Sequence, residues 1–324
     1  MQTALIGDSG LETSALWFGT MTFGDGADEA ASAALYARCR EAGIDTFDCA
    51  NKYAGGQSEL ILGKLIASER DALTITTKVG QRVGPNDNDA GLSPDHIKAQ
   101  CEASLRRLQT DRIDMYFVHC FDPSVPIADT MQALNELVVS GKVRYLGVSN
   151  WAAWQIALAD GICRQNGWQR FRVMQPMYNL LKRQVEVELL PLAQAINLGV
   201  SPYSPVAAGL LSGKYGAAVS ADTHGRLAAN ARYHKRYAEA WMNSAAQAFV
   251  AIAQHRGVHP VTLAVAWAAK HPAVSAPLLG ARSVEQLEPS LAAADFHLDD
   301  ETYQQLCALV PAPPLATDRS EEQS

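Results

Sequence analysis

The chain has 324 residues, 48% of them hydrophobic, and its 27 basic against 34 acidic residues leave a formal charge of −7. Nucleic-acid binding draws on clustered cations, and no long Lys or Arg run occurs here. No uninterrupted apolar stretch approaches the roughly 20 residues of a membrane span, and the start "MQTALIGDSGLETS" lacks the basic and apolar regions of a secretion signal. Six scattered cysteines (Cys39, Cys49, Cys101, Cys120, Cys163, Cys307) include no CxxC pair, so no metal site is expected. In a chain this long they read as reduced, buried thiols, and the expected compartment is the cytoplasm.

In chain order, the first 14 residues, with "GDSG" at 7–10, read as a small hairpin that plugs the floor of a larger body. Eight short apolar runs then appear: 15–20, 44–49, 73–79, 113–119, 143–149, 171–175, 199–204 and 274–280. Helix signals lie between them. "DEAASAALYARCREAG" (28–43) stops at Gly43, a usual terminator. "LSPDHIKAQCEASLRRLQ" (92–109) offers Ser93 as cap and Pro94 at the first helical position, followed by apolar residues three and four apart. Near-continuous apolar strands alternating with helices predict a parallel sheet covered on both faces. Eight such units predict one closed (β/α)8 TIM barrel with an N-terminal β-hairpin plug, spanning 1–310, and a flexible tail at 311–324. A doubly wound sheet is the alternative, but no GxGxxG follows the first strand.

The question of function starts at "DTFDCANKYAGG" (45–56), where an apolar run stops at a carboxylate and a phenol comes next in a glycine loop. Taken alone, Asp48 caps a turn and Tyr53 packs over a strand end. However, five other runs also end in polar side chains: Lys78, His119, Ser149 with Asn150, Gln175, and Tyr203 with Ser204. In an α/β barrel the strand C-termini share one mouth, where chemistry gathers. Six strands ending this way favour a site over six separate structural accidents.

At these residues the chain resembles the aldo-keto reductase superfamily, from about residue 5 to residue 295. The matching segments are "FGTMTFG" (18–24), "DTFDCANKYAGGQSE" (45–59), "TKVG" (77–80), "SLRRLQTDRIDMYFVH" (104–119), "GKVRYLGVSN" (141–150), "QPMYNLL" (175–181), "PYSPVAAGLLSGKY" (202–215) and "LLGARSVEQL" (278–287). The pattern is most similar to the bacterial branch that includes the potassium-channel β subunits. The resemblance implies an NADPH-dependent carbonyl reductase with a catalytic tetrad of Asp48, Tyr53, Lys78 and His119. Tyr53 would protonate the alkoxide, and His119 would orient the carbonyl. An unperturbed phenol near pKa ~10 is poorly matched to neutral pH. Lys78, held by Asp48, is therefore expected to lower the phenol's pKa.

For the cofactor, the resemblance implies Ser149, Asn150 and Gln175 at the nicotinamide carboxamide, Tyr203 stacked on the ring, and Gly19, Thr20 and Met21 lining it. Asp48 belongs to the same wall. Ser204, Pro205, Val206, Gly209, Leu210, Ser212 and Lys214 fall on the segment expected to wrap the pyrophosphate. Gly280 and Arg282 match the loop for the adenosine 2′-phosphate, where a planar guanidinium suits NADP. Pro289 and Ser290 replace the usual Glu-Asn pair, which leaves Gln286 for the adenine.

The substrate pocket is expected to draw on Met21, Phe23, Tyr53, His119, Phe121, Trp151 and the segment 215–240, whose Arg226, Arg232 and Lys235 read as a solvated helix face in preference to a clamp for cofactor phosphates or an anionic substrate. The expected partner is a small carbonyl or alcohol, with no membrane and no nucleic acid. Two other readings share the barrel: a Schiff-base lyase using Lys78, and a cofactor-sensing regulatory subunit with little turnover. A Schiff base requires a neutral lysine, and adjacent Asp48 opposes that.

Overall fold

The computed structural model describes residues 1–215 and 231–317. A hairpin of β1 (Thr3–Leu5) and β2 (Glu12–Ser14) precedes eight parallel strands: β3 (Trp17–Gly19), β4 (Thr46–Asp48), β5 (Thr74–Val79), β6 (Ile113–Val118), β7 (Val143–Ser149), β8 (Phe171–Gln175), β9 (Gly199–Val200) and β10 (Leu278–Leu279). These pair in chain order, with β10 returning to lie beside β3. The ring closes without a regular ladder. Ser275 and Leu278 donate their N–H groups to the carbonyls of Val200 and Pro202 at 2.8 and 2.9 Å. The eight expected strands and the N-terminal hairpin are all present, and the sheet curls into the barrel.

Alternation along the strands sorts side chains onto two faces. Trp17, Met115, Phe117, Val173 and Leu278 point inward and pack with Ile6 from the hairpin. Phe18, Phe47, Ile75, Tyr116 and Val148 face outward into the larger core under the helices. Gly147 faces inward, and a Cβ there would lie 2.5 Å from the ring of Phe117, so the glycine makes room for that ring. The register carries the same parity to the mouth: Gly19 pairs with Asp48, Lys78 with Phe117, and Ser149 with Gln175.

The covering helices begin where capping chemistry directs. In α1 (Glu29–Glu41), Asp28 accepts from the Ala31 N–H at 2.8 Å. Helix α2 (Gln57–Ile66) comes directly after the tyrosine loop, and α3 (Pro94–Leu108) starts on Ser93 and Pro94. Then come α4 (Ile127–Val139), α5 (Ala153–Asn166), α6 (Leu189–Ile196), α7 (Ala231–Arg236), α8 (Ala240–His255), α9 (Pro260–Lys270), α10 (Val284–Leu291) and α11 (Asp300–Cys307). The hairpin lies at the strand N-termini: Asp8 donates its N–H to the Asn197 carbonyl and its carboxylate pairs with Arg170 and Arg172. That is the floor, opposite the polar strand ends. Residues 311–317 of the expected tail carry no helix or strand. The rest of the tail, and Arg226, lie outside the described residues.

Candidate active site

Lys78, next to last in β5, lies on the inner face and is wholly buried. A buried ammonium is tolerated only when its charge and its donors are matched. Its Nζ donates to Asp48 Oδ2 at 2.5 Å, to the Cys49 carbonyl at 2.7 Å and to Tyr53 Oη at 3.4 Å. Three acceptors thus meet the three donors of a charged lysine. Asp48 is equally well held. Its Oδ1 accepts from Thr76 Oγ1 at 2.6 Å and from Gln175 Nε2 at 2.9 Å. Thr76 is absent from the residues expected on sequence grounds, although it stands two residues before Lys78 on the same strand face, which period two makes visible.

Tyr53 is half-buried, on a short turn (Tyr53–Gly56) whose Ala54 and Gly55 adopt positive φ of 49° and 63°. His119 comes after β6 and stands edge-on to Tyr53, with ring centroids 6.0 Å apart. Burial, reinforced by the positive charges of Lys78 and Lys52, pushes His119 down to about 3, so the ring is neutral. Its Nδ1 is buried without a partner among the described residues. An unpaired buried N–H is rarer than an unpaired lone pair, which favours a proton on Nε2, the tautomer able to donate from the other side of the ring.

The phenol departs from the sequence expectation. Burial, and then the negative charge of Asp48, raise Tyr53 well above the usual tyrosine value. The lysine charge that was expected to lower it is spent on Asp48 at 2.5 Å, while the contact to the phenol is long. Tyr53 is therefore held as a protonated donor.

Around this core, Ser149 donates to the Gln175 carbonyl at 2.8 Å. Asn150 donates to Ser149 Oγ and to the His119 carbonyl, and accepts from Tyr203 Oη, each at 2.9 Å. Tyr203, half-buried, is thus tethered at the mouth. Thr20 is buried and bonded to Ser58 and the Asp48 carbonyl, whereas Met21 is partly exposed. Phe23, expected at the substrate rim, has no exposed surface: it packs on Phe18 with centroids 5.9 Å apart, so it offers nothing to a ligand. Phe121 is partly exposed, and Trp151, 4% exposed, stands edge-on to it at 5.1 Å. Lys235 is exposed on α7, and the side chain of Arg232 lies outside the described residues.

Backbone strain gathers at the same end. Of the seven non-glycine residues with positive φ among the described residues, Ala54, Asn150, Ser204, Ala207 and Ala208 lie on loops after β4, β7 and β9. Such conformations persist where the surroundings over-determine them, and they concentrate at ligand sites. Asn179 fixes one of them by donating to the Ser204 carbonyl at 2.9 Å. Pro205 and Leu210 are buried, with Val206 and Ser212 partly exposed between and beyond them. Gly209, φ 93°, leaves space beside the exposed Lys214, since a Cβ would lie 2.8 Å from its Nζ. A cation next to a turn of small residues suits an anionic group.

Arg282 makes a similar cradle. It is exposed, and a Cβ on Gly26 would lie 3.3 Å from its Nε. Among the described residues no carboxylate pairs with it. Gly280 beside it is exposed as well. The Oε1 of Gln286 already accepts from the Arg282 N–H at 3.0 Å, and Ser290 is buried at 4% exposure. The expected adenine contacts are thus thin.

The fold and these side chains define an α/β barrel able to deliver a proton at its C-terminal mouth. The chain belongs to the aldo/keto reductase family, an oxidoreductase family whose pattern matches residues 15–311. It is 34% identical over 325 residues to an uncharacterized oxidoreductase, YrpG, of Bacillus subtilis (strain 168), covering 97% of each chain. It is 36% identical over 301 residues to a probable voltage-gated potassium channel subunit beta of Arabidopsis thaliana, covering 91% of this chain and 92% of that one. To the aflatoxin B1 aldehyde reductase member 2 of Mus musculus it is 36% identical over 294 residues, covering 86% of this chain and 79% of the relative.

No helix among the described residues is long and apolar enough to cross a membrane. Nor does any group of three or more His, Cys, Asp or Glu among them have the arrangement of a metal site.

Proposed function

We propose that this chain is an NADPH-dependent oxidoreductase that reduces the carbonyl of a small aldehyde, ketone or sugar to an alcohol, reversibly. The observation that carries the reading is the wholly buried Lys78, joined to Asp48 at 2.5 Å and reaching Tyr53 Oη at 3.4 Å, with neutral His119 beside the phenol. Ser149, Asn150, Gln175 and Tyr203 would hold the nicotinamide end, the turn from Ser204 to Lys214 the pyrophosphate, and Arg282 a 2′-phosphate. Bound NADPH supplies the hydride.

The chain's own residues do the rest. His119 donates a hydrogen bond to the carbonyl oxygen and so orients the substrate. As negative charge grows on that oxygen, Tyr53 transfers its phenolic proton to it, and the product leaves as the alcohol. A phenol raised above its usual value keeps its proton until a stronger base, the alkoxide, is present. The phenolate left behind is stabilised by Lys78, whose third donor already points at Tyr53 Oη. Asp48, anchored by Thr76 and Gln175, keeps that lysine charged and aimed. Phe121 and Met21, the partly exposed apolar side chains at the rim, exclude water and suit an aryl or alkyl carbonyl.

The test is a titration with NADPH and NADH tracked by tryptophan quenching and calorimetry, repeated on Arg282→Ala, with carbonyl reduction assayed in parallel. The reading expects micromolar NADPH binding, weaker NADH binding, loss of that difference in the variant, and turnover of aldehydes. Binding of neither nucleotide would sink it. A second reading, a cofactor-sensing subunit, is favoured by the plant relative described as a channel β subunit. Tight NADPH retention through gel filtration, with slow turnover on every carbonyl, is its signature.

A further inference from the structure

The four side chains of the proposed catalytic centre carry no net charge: Asp48 cancels Lys78, Tyr53 is a phenol and His119 a neutral ring. Lys52 stands outside that balance. It immediately precedes Tyr53 and is exposed. Its carbonyl accepts from the Gly55 N–H at 3.1 Å, which closes the turn carrying Tyr53 and fixes the lysine's stem beside the phenol. Burial is the main reason that His119 stays neutral, and burial with Asp122 raises the Cys120 thiol; the Lys52 charge reinforces the first effect and opposes the second. A charge felt by both residues that follow β6 overlooks the His119 side of the mouth. Lys64, Lys98 and Lys270 on the covering helices pair with Glu29, Glu136 and Asp300, whereas among the described residues no carboxylate pairs with Lys52. Asp122, beyond β6, is already engaged: it accepts from the Leu92 N–H at 2.8 Å, and from the Ser124 N–H and hydroxyl at 2.9 and 2.6 Å. An uncompensated cation beside low-dielectric walls attracts an anion. An apolar wall adjoins it: Phe121, next after Cys120, is partly exposed, and Trp154, 62% exposed, stands edge-on to it at 6.2 Å.

We propose that Lys52 is a specificity-determining residue, selecting carbonyl compounds that carry a carboxylate beyond the reacting carbon. The inference rests on the reductase reading and names its substrate class. An aryl aldehyde acid fits both features of the rim, with its ring against Phe121, its carboxylate toward Lys52 and its carbonyl oxygen at His119 and Tyr53. The carboxylate takes no part in the chemistry. Hydride still comes from NADPH and the proton from Tyr53, and the product is the corresponding alcohol with its carboxylate unchanged. Because Lys52 is exposed, its attraction for such a substrate is screened by salt.

The experiment compares para-formylbenzoate with its methyl ester, which keeps the ring and the aldehyde and lacks the charge. The readout is the ratio of kcat/KM for the acid to that for the ester, at saturating NADPH. Both substrates undergo the same chemistry, so the change of this ratio in a variant cancels general damage to the centre. Exposed ion pairs alter binding by up to about fivefold. The ratio should fall by about that factor in Lys52→Met, mainly through KM, and further in Lys52→Glu, while Lys52→Arg retains most of it. Raising the salt concentration should lower the wild-type ratio and leave that of Lys52→Met unchanged. Lys235→Met, which removes an exposed lysine from α7, should shift the ratio by less than about twofold. An unchanged ratio in Lys52→Met and Lys52→Glu, or an equal fall in Lys235→Met, would overturn the proposal and leave the reductase reading standing. If the wild type reduces neither aldehyde, both fall.

Discussion

Tyr53 and His119 carry opposite proton assignments for the same reason, which is burial. Removing a charged form from water raises an acid's pKa and lowers a base's. Tyr53 accordingly stays a phenol and His119 a neutral imidazole pushed down to about 3. Tyr53→Phe keeps the ring and removes the proton. Loss of a general acid typically costs about 10²–10⁴-fold, so kcat for carbonyl reduction should fall in that range while NADPH affinity stays close to wild type. Near-wild-type turnover would move the acid elsewhere. The same assignments set the pH profile: kcat/KM for reduction should show no step near the usual imidazole value of about 6.5 and no loss until the phenol ionises. A step there that disappears in His119→Asn would contradict the neutral ring. Stability has the opposite sensitivity. Below about pH 6.5 the unfolded imidazole takes up a proton, and the folded one resists until about pH 3, so stability drops as pH falls through that window. Urea midpoints at mildly alkaline and mildly acidic pH should differ more for the wild type than for His119→Asn.

At the scale of elements, α2 is the support that the catalytic loop leans on. It starts immediately after the Tyr53 turn and is pinned by wholly buried Glu59, which accepts from Thr77 Oγ1 at 2.5 Å and from Arg107 Nε at 2.6 Å. Gly63 lets this helix approach the end of α3: a Cβ there would lie 2.6 Å from the Arg107 carbonyl oxygen and 2.7 Å from the Leu108 carbonyl carbon. In an exposed helix Gly→Ala gains about 1 kcal/mol. Here the obstacle is backbone, and overpacking costs about 1–3 kcal/mol. Gly63→Ala should therefore lower the urea midpoint, and a rise would mean the gap is looser than these distances. The strands from β3 to β8 were legible in the sequence because a sheet covered on both faces demands continuous apolar runs. Asp48, Lys78, His119 and Gln175 were legible because polarity at the end of such a run is conspicuous. The Glu59–Arg107–Thr77 cluster was not, because its partners come from three elements whose packing no local pattern encodes. Phe23 was misplaced for a related reason: an aromatic residue in a loop looks like a rim, and only the packing on Phe18 reveals core. β9 and β10 are each two residues long, and the irregular hydrogen bonds of Val200 and Pro202 that join their ends have no sequence signature.

For the molecule as a whole, the barrel separates stability at its floor from chemistry at its mouth. Ile6 is wholly buried and packs with Trp17, Met115, Phe117, Val173 and Leu278 in the interior. The adjoining Gly7, φ 52°, lies so close to β9 that a Cβ would sit 2.4 Å from the Asn197 carbonyl oxygen. Asp8 closes the floor through Arg170 and Arg172, each at 2.7 Å. Truncating Ile6 to alanine removes buried atoms from a site that rigid strands keep from collapsing, and such changes cost about 2–5 kcal/mol. The urea midpoint of Ile6→Ala should fall accordingly. Gly7→Ala should also destabilise, because it adds both a backbone clash and an unfavourable φ. Neither residue is bonded to the tetrad, whose Asp48 and Lys78 are held by their own bonds among β4, β5 and β8. At room temperature, where the folded form still dominates, kcat/KM of Ile6→Ala should stay within about twofold of wild type, since positioning losses at a catalytic centre are typically far larger. Phe117 offers a route from the floor to the mouth, because it packs in the same interior cluster and its ring stands 5.9 Å from Lys78 Nζ. A loss of turnover in Ile6→Ala at full foldedness would show that Phe117 transmits the cavity upward to the lysine, and Gly147→Ala, which crowds the same ring, should then reproduce it.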